Sequence, residues 1–333
     1  MLELTRPPAP EPGSTIAIVS PSAPGVASWP HRVEAGTRYL EQLGHQVRLM
    51  PNASLSTGWT AGTGEERAAD IHAAVSDLDV SVVLAAIGGN HSAQLLPYLD
   101  YDLIGSHPKI FQGYSDITVL LWAFAKHAQL QTFHGPALIP EMGEHPKMLP
   151  YTDEWMKSAW SGQAMQFQSA SGWTDEFLDW DEKRDLERPR ELQPATGWHC
   201  IRPGTAEGPL LGGCLETISW HIRGTEEWIS PEGTIFFLET SEEAPSPALV
   251  DAYLTTFERL GVFEAASGLI IGRPYGYGEA EKASFFEVIA RRTAASGIPV
   301  LADVDLGHTD PMLTLPLGAP TRLDAGKKSL LVS

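Results

Sequence analysis

The sequence predicts an α/β protein built from an N-terminal parallel-sheet domain, Rossmann- or flavodoxin-like, and a C-terminal α+β domain rich in strand. Three observations predict this. Strand-like runs alternate with helical periodicity over the first 150 residues. Runs such as "VSVVLAAIGG" are apolar throughout rather than alternating, as strands covered on both faces are. After Gly204 the strand-like segments become short and frequent, with three helices among them.

In order, "STIAIVSPS" reads as a buried strand and "HRVEAGTRYLEQLG" as a helix ended by Gly44. "HQVRLM" is a second strand, "EERAADIHAAVSD" a helix, and "VSVVLAAIGG" a strand that stops at two glycines. "HSAQLLPYLD" reads as a short helix with Asn90 as its cap. "KIFQG" is a strand, a very apolar helix follows from Tyr114, and "LQTFHGP" is one more strand. Between Pro150 and Pro203 the rhythm decays into the charge-dense "TDEFLDWDEKRDLERPRELQP", read as a mostly solvated linker. Trp173, Trp180 and Trp198 fit a linker poorly, because solvated chain gains nothing from large rings. They are expected to anchor the loop or to offer a ligand a stacking surface. The second domain holds "AEGPLLGG", "GTIFFLET", "SGLIIGRP", "GIPVLAD", "PMLTLPLG", "TRLDA" and "SLLVS" as strands. Its helices are "CLETISWHIRG", "SPALVDAYLTTFERLG" and "EAEKASFFEVIARRTAAS", and more antiparallel pairing is expected than in the first domain. The expected division is 1–150, an interdomain loop 151–203, and 204–333.

Composition narrows the function. A formal charge of −19 argues against nucleic-acid polymers and anionic membranes, which are bound through clusters of Lys and Arg. It leaves room for a small anion held by one local cation, with Arg202, Arg223 and Arg273 as candidates. Two cysteines, Cys200 and Cys214, are too few for a disulfide framework or a structural zinc site. "MLELTRPPAPEPG" has neither the basic start nor the apolar core of a secretory signal, so a cytoplasmic protein is expected. No GxGxxG follows the first strand, so no nucleotide cofactor is expected.

The residues that carry chemistry are few. In "FQGYSDITVLLWAFAKHA", Ser115 stands at a strand-to-helix turn, where the free N–H groups and helix dipole favour negative charge. It either caps the helix or attacks a substrate, and the N–H of Asp116 is placed to meet an oxyanion. Gly88 and Gly89 end a strand and permit close approach of a ligand, and Gly89 N–H is a second oxyanion donor. His308, in "ADVDLGHTDPMLTLPLG", sits in a turn between strands. The nearby Asp303, Asp305 and Asp310 match no metal motif, and no metal is expected. Glu239 ends the strand "TIFFLET", where a carboxylate is placed to hold the Nδ1–H of a histidine. The alternative is a charge that caps the next helix, which Glu242 or Glu243 would serve equally.

These segments, together with "IGGNHSAQLLPYLDYDLI", "TFHGP" and "GPLLGGCLETI", resemble in their order the LD-carboxypeptidase family of serine peptidases. Within it the chain resembles the branch of the microcin C immunity peptidase. The resemblance implies a triad of Ser115 as nucleophile, Glu239 as orienter and His308 as base and then acid. It further implies an oxyanion hole from the backbone of Gly89 and Asp116, no cofactor, and a homodimer. Cell-wall recycling members, which release D-alanine from L,D-linked muropeptides, look like R-G-G-Y-G where this chain has Ile87-Gly88-Gly89-Asn90. The immunity branch cleaves the amide between an aspartyl residue and a sulfamoyl or phosphoramidate nucleotide and stacks the base on an aromatic of the interdomain loop. Gly88, Asn90, Cys214, Trp173, Trp180 and Trp198 are the substrate-binding candidates on that reading. Cys214 departs from the family, which usually has asparagine there. A non-catalytic binder of nucleotide-like ligands is the further alternative.

Overall fold

The computed structural model describes residues 3–333. Five strands, β1 (Thr15–Val19), β2 (Gln46–Leu49), β3 (Val80–Ala85), β4 (Ile110–Gly113) and β5 (Phe133–His134), lie parallel in the spatial order 2-1-3-4-5. Every residue of β1 and β4 is buried, which is why these runs show no polar alternation. The strand order reverses between β1 and β3, so a crevice opens beyond their carboxyl ends. A short strand from the far end of the chain, Leu315–Pro316, adds antiparallel to β5.

The second sheet has eight strands. Its centre is parallel, running from Thr205–Cys214 through Ile235–Glu239 and Gly268–Gly272 to Val300–Val304. Antiparallel strands flank this centre: Pro320–Asp324, Ser329–Val332 and Met165–Phe167 on one side, His199–Arg202 on the other. The expected excess of antiparallel pairing is therefore confined to the edges. Helices Pro247–Arg259 and Glu279–Arg292 supply the crossovers that parallel neighbours need. The segment 151–203 is also more structured than a solvated linker. Helix Pro150–Ser161 overlaps its start, and both of its ends add strands to the second sheet.

The helix Thr118–His127 joins the two halves. Val119 to Phe124 are fully buried, because the first sheet covers one face and the second sheet the other. Trp122 Nε1–H donates to the Gly212 carbonyl at 2.8 Å, and Cys214 N–H donates to the Thr118 hydroxyl at 3.2 Å. A Cβ at Gly213 would fall 2.4 Å from Thr118 Cγ2, so only glycine allows this approach.

Candidate active site

Ser115 follows β4 through the extended Tyr114 and takes φ +61°, the left-handed region that a side chain adopts at a cost of about 1–2 kcal/mol. One 3₁₀ turn, Ser115–Ile117, then enters the helix. Gly113 makes the bend possible, since a Cβ there would lie 2.9 Å from Ile117 Cγ2. The strain is held by the neighbour. Asp116 does not cap its own helix; its Oδ2 accepts the N–H groups of His91 (2.9 Å) and Ser92 (2.8 Å). Ser92 Oγ returns a bond to the Asp116 carbonyl at 2.8 Å. The serine turn is thereby tied to the loop after β3. In that loop a Cβ at Gly88 would fall 2.9 Å from Ser115 Cβ and 3.6 Å from Asp116 N. Gly89, at φ +140°, lies beside Ser22 and Ala23 at the end of β1.

Glu239, at the end of its strand, is fully buried and faces His308, with Oε2 2.8 Å from Nδ1. Two glycines make room for it: a Cβ at Gly307 would fall 2.5 Å from Glu239 Oε2, and one at Gly272 2.8 Å from Glu239 Cβ. The other ring nitrogen of His308, Nε2, lies 2.8 Å from Glu242 Oε2. Burial alone would lower the imidazole pKa, but Glu239 and then Glu242 outweigh it and hold His308 well above its usual value. Glu242 is pushed up by burial and pulled down further by His308, to about 2. His134 Nε2 stands 3.9 Å from Glu239 Oε1, and burial lowers its pKa to about 4, so it is neutral. No hydrogen bond joins Ser115 to His308 among the described residues, but both line one cavity of about 500 Å³. The Tyr114 ring packs against His308 at 4.9 Å between centroids. Trp29, Phe177 and Trp180 form an aromatic group on the same cavity wall, their rings 5.1–5.5 Å apart in sequence from Trp29 to Trp180 to Phe177.

Comparison with known proteins gives this arrangement a family. The LD-carboxypeptidase N-terminal domain matches residues 16–135, and its C-terminal domain matches residues 207–323. The chain belongs to the LD-carboxypeptidase family. It is 34% identical to the microcin C7 self-immunity protein of Escherichia coli over 96% of this chain and 93% of that one. It is 28% identical to a probable murein peptide carboxypeptidase of Bacillus subtilis, over 98% and 94% of the two chains. The solved structure of the immunity protein with aspartyl sulfamoyl adenosine aligns with a TM-score of 0.89 and 32% identity, over 98% of each chain.

In this LD-carboxypeptidase-family chain the other nominated residues fare unequally. Of the three tryptophans, Trp180 lines the cavity. Trp173 is capped by Arg273 at 5.1 Å and Lys282 at 5.8 Å, away from that wall. Trp198 is buried and donates its indole N–H to Asp305 at 2.8 Å, which makes it an anchor of the loop rather than a ligand surface. Cys214 is buried outside the cavity lining, its thiol 3.7 Å from Glu216 and pushed to higher pKa by burial, so it is no nucleophile. Asn90 is exposed and caps nothing, the 3₁₀ helix Ser92–Tyr98 having no side-chain cap. Arg202 and Arg273 are spent on the fold, bonded to Thr293 and Asp305, and Arg223 is not on the cavity wall. Arg32 and Arg190 stand there instead. Sequence reading missed both, along with Trp29 and Phe177; only the clustering of aromatics at 173–180 hinted at Phe177. Among the described residues no three His, Cys, Asp or Glu side chains are grouped to hold a metal ion.

Proposed function

We propose that the protein is a serine hydrolase that cleaves the amide bond joining a peptidyl or aminoacyl group to a nucleotide-like group, a detoxifying reaction of the microcin-immunity kind. The observation that carries this reading is the cavity itself, with Ser115 and His308 at one place and an aromatic group at another. A purine base stacks on Trp180 and its neighbours while the amide reaches Ser115. Likeness to an immunity protein solved with aspartyl sulfamoyl adenosine supports the same ligand class.

In the reaction, Ser115 Oγ attacks the amide carbonyl as His308 Nε2 takes its proton. Glu239 fixes the ring and stabilises the imidazolium. The N–H groups of Gly89 and Asp116 meet the oxyanion. His308 then protonates the leaving nitrogen, and water, activated by the same ring, releases the acyl group. The nucleophile belongs to 1–150 and its partners to 204–333, so the site forms only where the halves meet. We place the enzyme in the cytoplasm, as a homodimer, acting on small molecules without a cofactor.

A second reading, release of D-alanine from muropeptides, is favoured by the likeness to the murein peptide carboxypeptidase. One experiment separates them. Purified protein is offered a muropeptide tetrapeptide and aspartyl-sulfamoyl-adenosine, with products read by mass spectrometry. Cleavage of the second supports the proposal, and cleavage of the first alone transfers it to cell-wall recycling.

A further inference from the structure

Glu239 has two carboxylate oxygens, and the reaction above uses one of them. Oε2 meets His308 Nδ1 at 2.8 Å. Oε1 is buried and accepts no hydrogen bond among the described residues. His134 Nε2 faces it at 3.9 Å, and both side chains are 0% exposed. Neither ring nitrogen of His134 has a partner among the described residues either.

A buried polar atom without a partner is costly, and a buried carboxylate more so. Phenylalanine would fill the place of His134 without that cost, among the rings of Tyr114 and Phe237 at 6.2 and 5.3 Å between centroids. What histidine adds there is a donor beside Glu239. Burial lowers the pKa of His134 to about 4, so at neutral pH the ring carries one N–H. With no bond to either nitrogen among the described residues, the adjacent carboxylate decides the tautomer and draws the proton to Nε2. The separation of 3.9 Å exceeds a hydrogen bond by about 1 Å, which a small turn of either side chain closes.

Position gives this contact its purpose. His134 ends β5, in register with Gly113 of β4 on one side and with Leu315 on the other. Gly113 leads through Tyr114 into Ser115, whereas Glu239 belongs to the second sheet. The Tyr114 ring packs against both imidazoles. We propose that His134 donates from Nε2 to Glu239 Oε1, and so fixes the orienting carboxylate to the sheet that carries Ser115. The proposal rests on the serine-hydrolase reading above. His134 is a positioning residue: it lies off the cavity wall and acts through Glu239 on His308. With both oxygens held, the carboxylate cannot rotate away from Nδ1 as His308 takes up the serine proton. A neutral donor also supports the negative charge of Glu239 without competing for its role.

The test compares His134→Phe and His134→Gln with the wild-type protein. Phenylalanine keeps a ring of similar size and removes the donor, whereas glutamine returns an amide N–H close to the place of Nε2. His134→Phe is expected to lower kcat by about 10- to 100-fold, the usual cost of losing a group that orients a catalytic one. Its KM for aspartyl-sulfamoyl-adenosine should be unchanged and its melting temperature no lower, because a purely structural ring is replaced by a better-suited one. His134→Gln should recover most of the lost kcat. A second arm needs no substrate: NMR of the ¹⁵N-histidine-labelled protein should show His134 as the Nε2–H tautomer, and Glu239→Gln should move that resonance. Full kcat in His134→Phe, equal losses in both variants, an Nδ1–H tautomer or an unmoved resonance would each overturn the proposal and leave the hydrolase reading standing. A wild-type protein that cleaves neither this compound nor a muropeptide tetrapeptide would instead overturn the hydrolase reading, and the NMR arm would still decide the contact.

Discussion

Gly88 packs so closely on Ser115 that a Cβ at position 88 would lie 2.9 Å from the Ser115 Cβ and 3.0 Å from its Oγ. Real carbon atoms do not approach that closely, so the smallest side chain here must push the serine aside. Gly88→Ala is expected to reduce kcat by about 10²-fold, the scale set by displacing a reacting atom by about 1 Å. Overpacking costs about 1–3 kcal/mol of stability as well. Turnover and urea melts of the one variant measure both effects, and a normal kcat would show that the loop is not pressed on the nucleophile.

Ser115→Ala removes the oxygen proposed to attack and leaves the turn in place, since the tie through Asp116 to His91 and Ser92 is untouched. Turnover should fall by about 10⁴–10⁶-fold, as deletions within catalytic triads do. The variant should still bind the nucleotide-like ligand in calorimetry. Retained turnover would move the nucleophile elsewhere.

Glu239→Gln leaves the shape of the His308 contact but not its charge. Loss of the correct tautomer and of imidazolium stabilisation predicts a drop of about 10⁴-fold in kcat. The His308 pKa should also fall, since Glu239 is the foremost of the groups that raise it. Proton NMR of the imidazole against pH measures this directly, and an unmoved titration would exclude the pairing in solution.

The same ion pairs make stability depend on pH in a definite sense. His308 has a pKa raised on folding, so its contribution is complete below the unfolded value of about 6.5 and is lost as pH rises through the folded value. Melting temperature should therefore decline above neutrality more steeply in wild type than in His308→Gln. Parallel curves would mean that the ring gains no stabilising charge in the folded state.

Trp180 offers its ring to the cavity while Arg32 covers it at 4.3 Å and Trp29 meets it edge-on. Trp180→Ala should raise KM for the nucleotide compound by about 10- to 100-fold, the equivalent of about 1–3 kcal/mol of base stacking, with kcat much less changed. An unaltered KM would place the base elsewhere.

The sequence by itself determined the local structure of both halves. Buried parallel strands, the turn at Ser115 and the glycines beyond β3 follow from periodicity and turn chemistry, which act over a few residues. The family was legible too, because its segments keep their order along the chain. Tertiary structure alone decided that Glu239 meets His308 across 69 positions and that Glu242 closes on the opposite nitrogen. It also decided which tryptophans face the cavity, why Gly213 must be glycine, and that Arg32 and Arg190 are the cations on the wall. No local pattern encodes these, since each depends on surfaces from distant segments being pressed together. A side chain's partners, and so its charge state, exist only once that packing has formed.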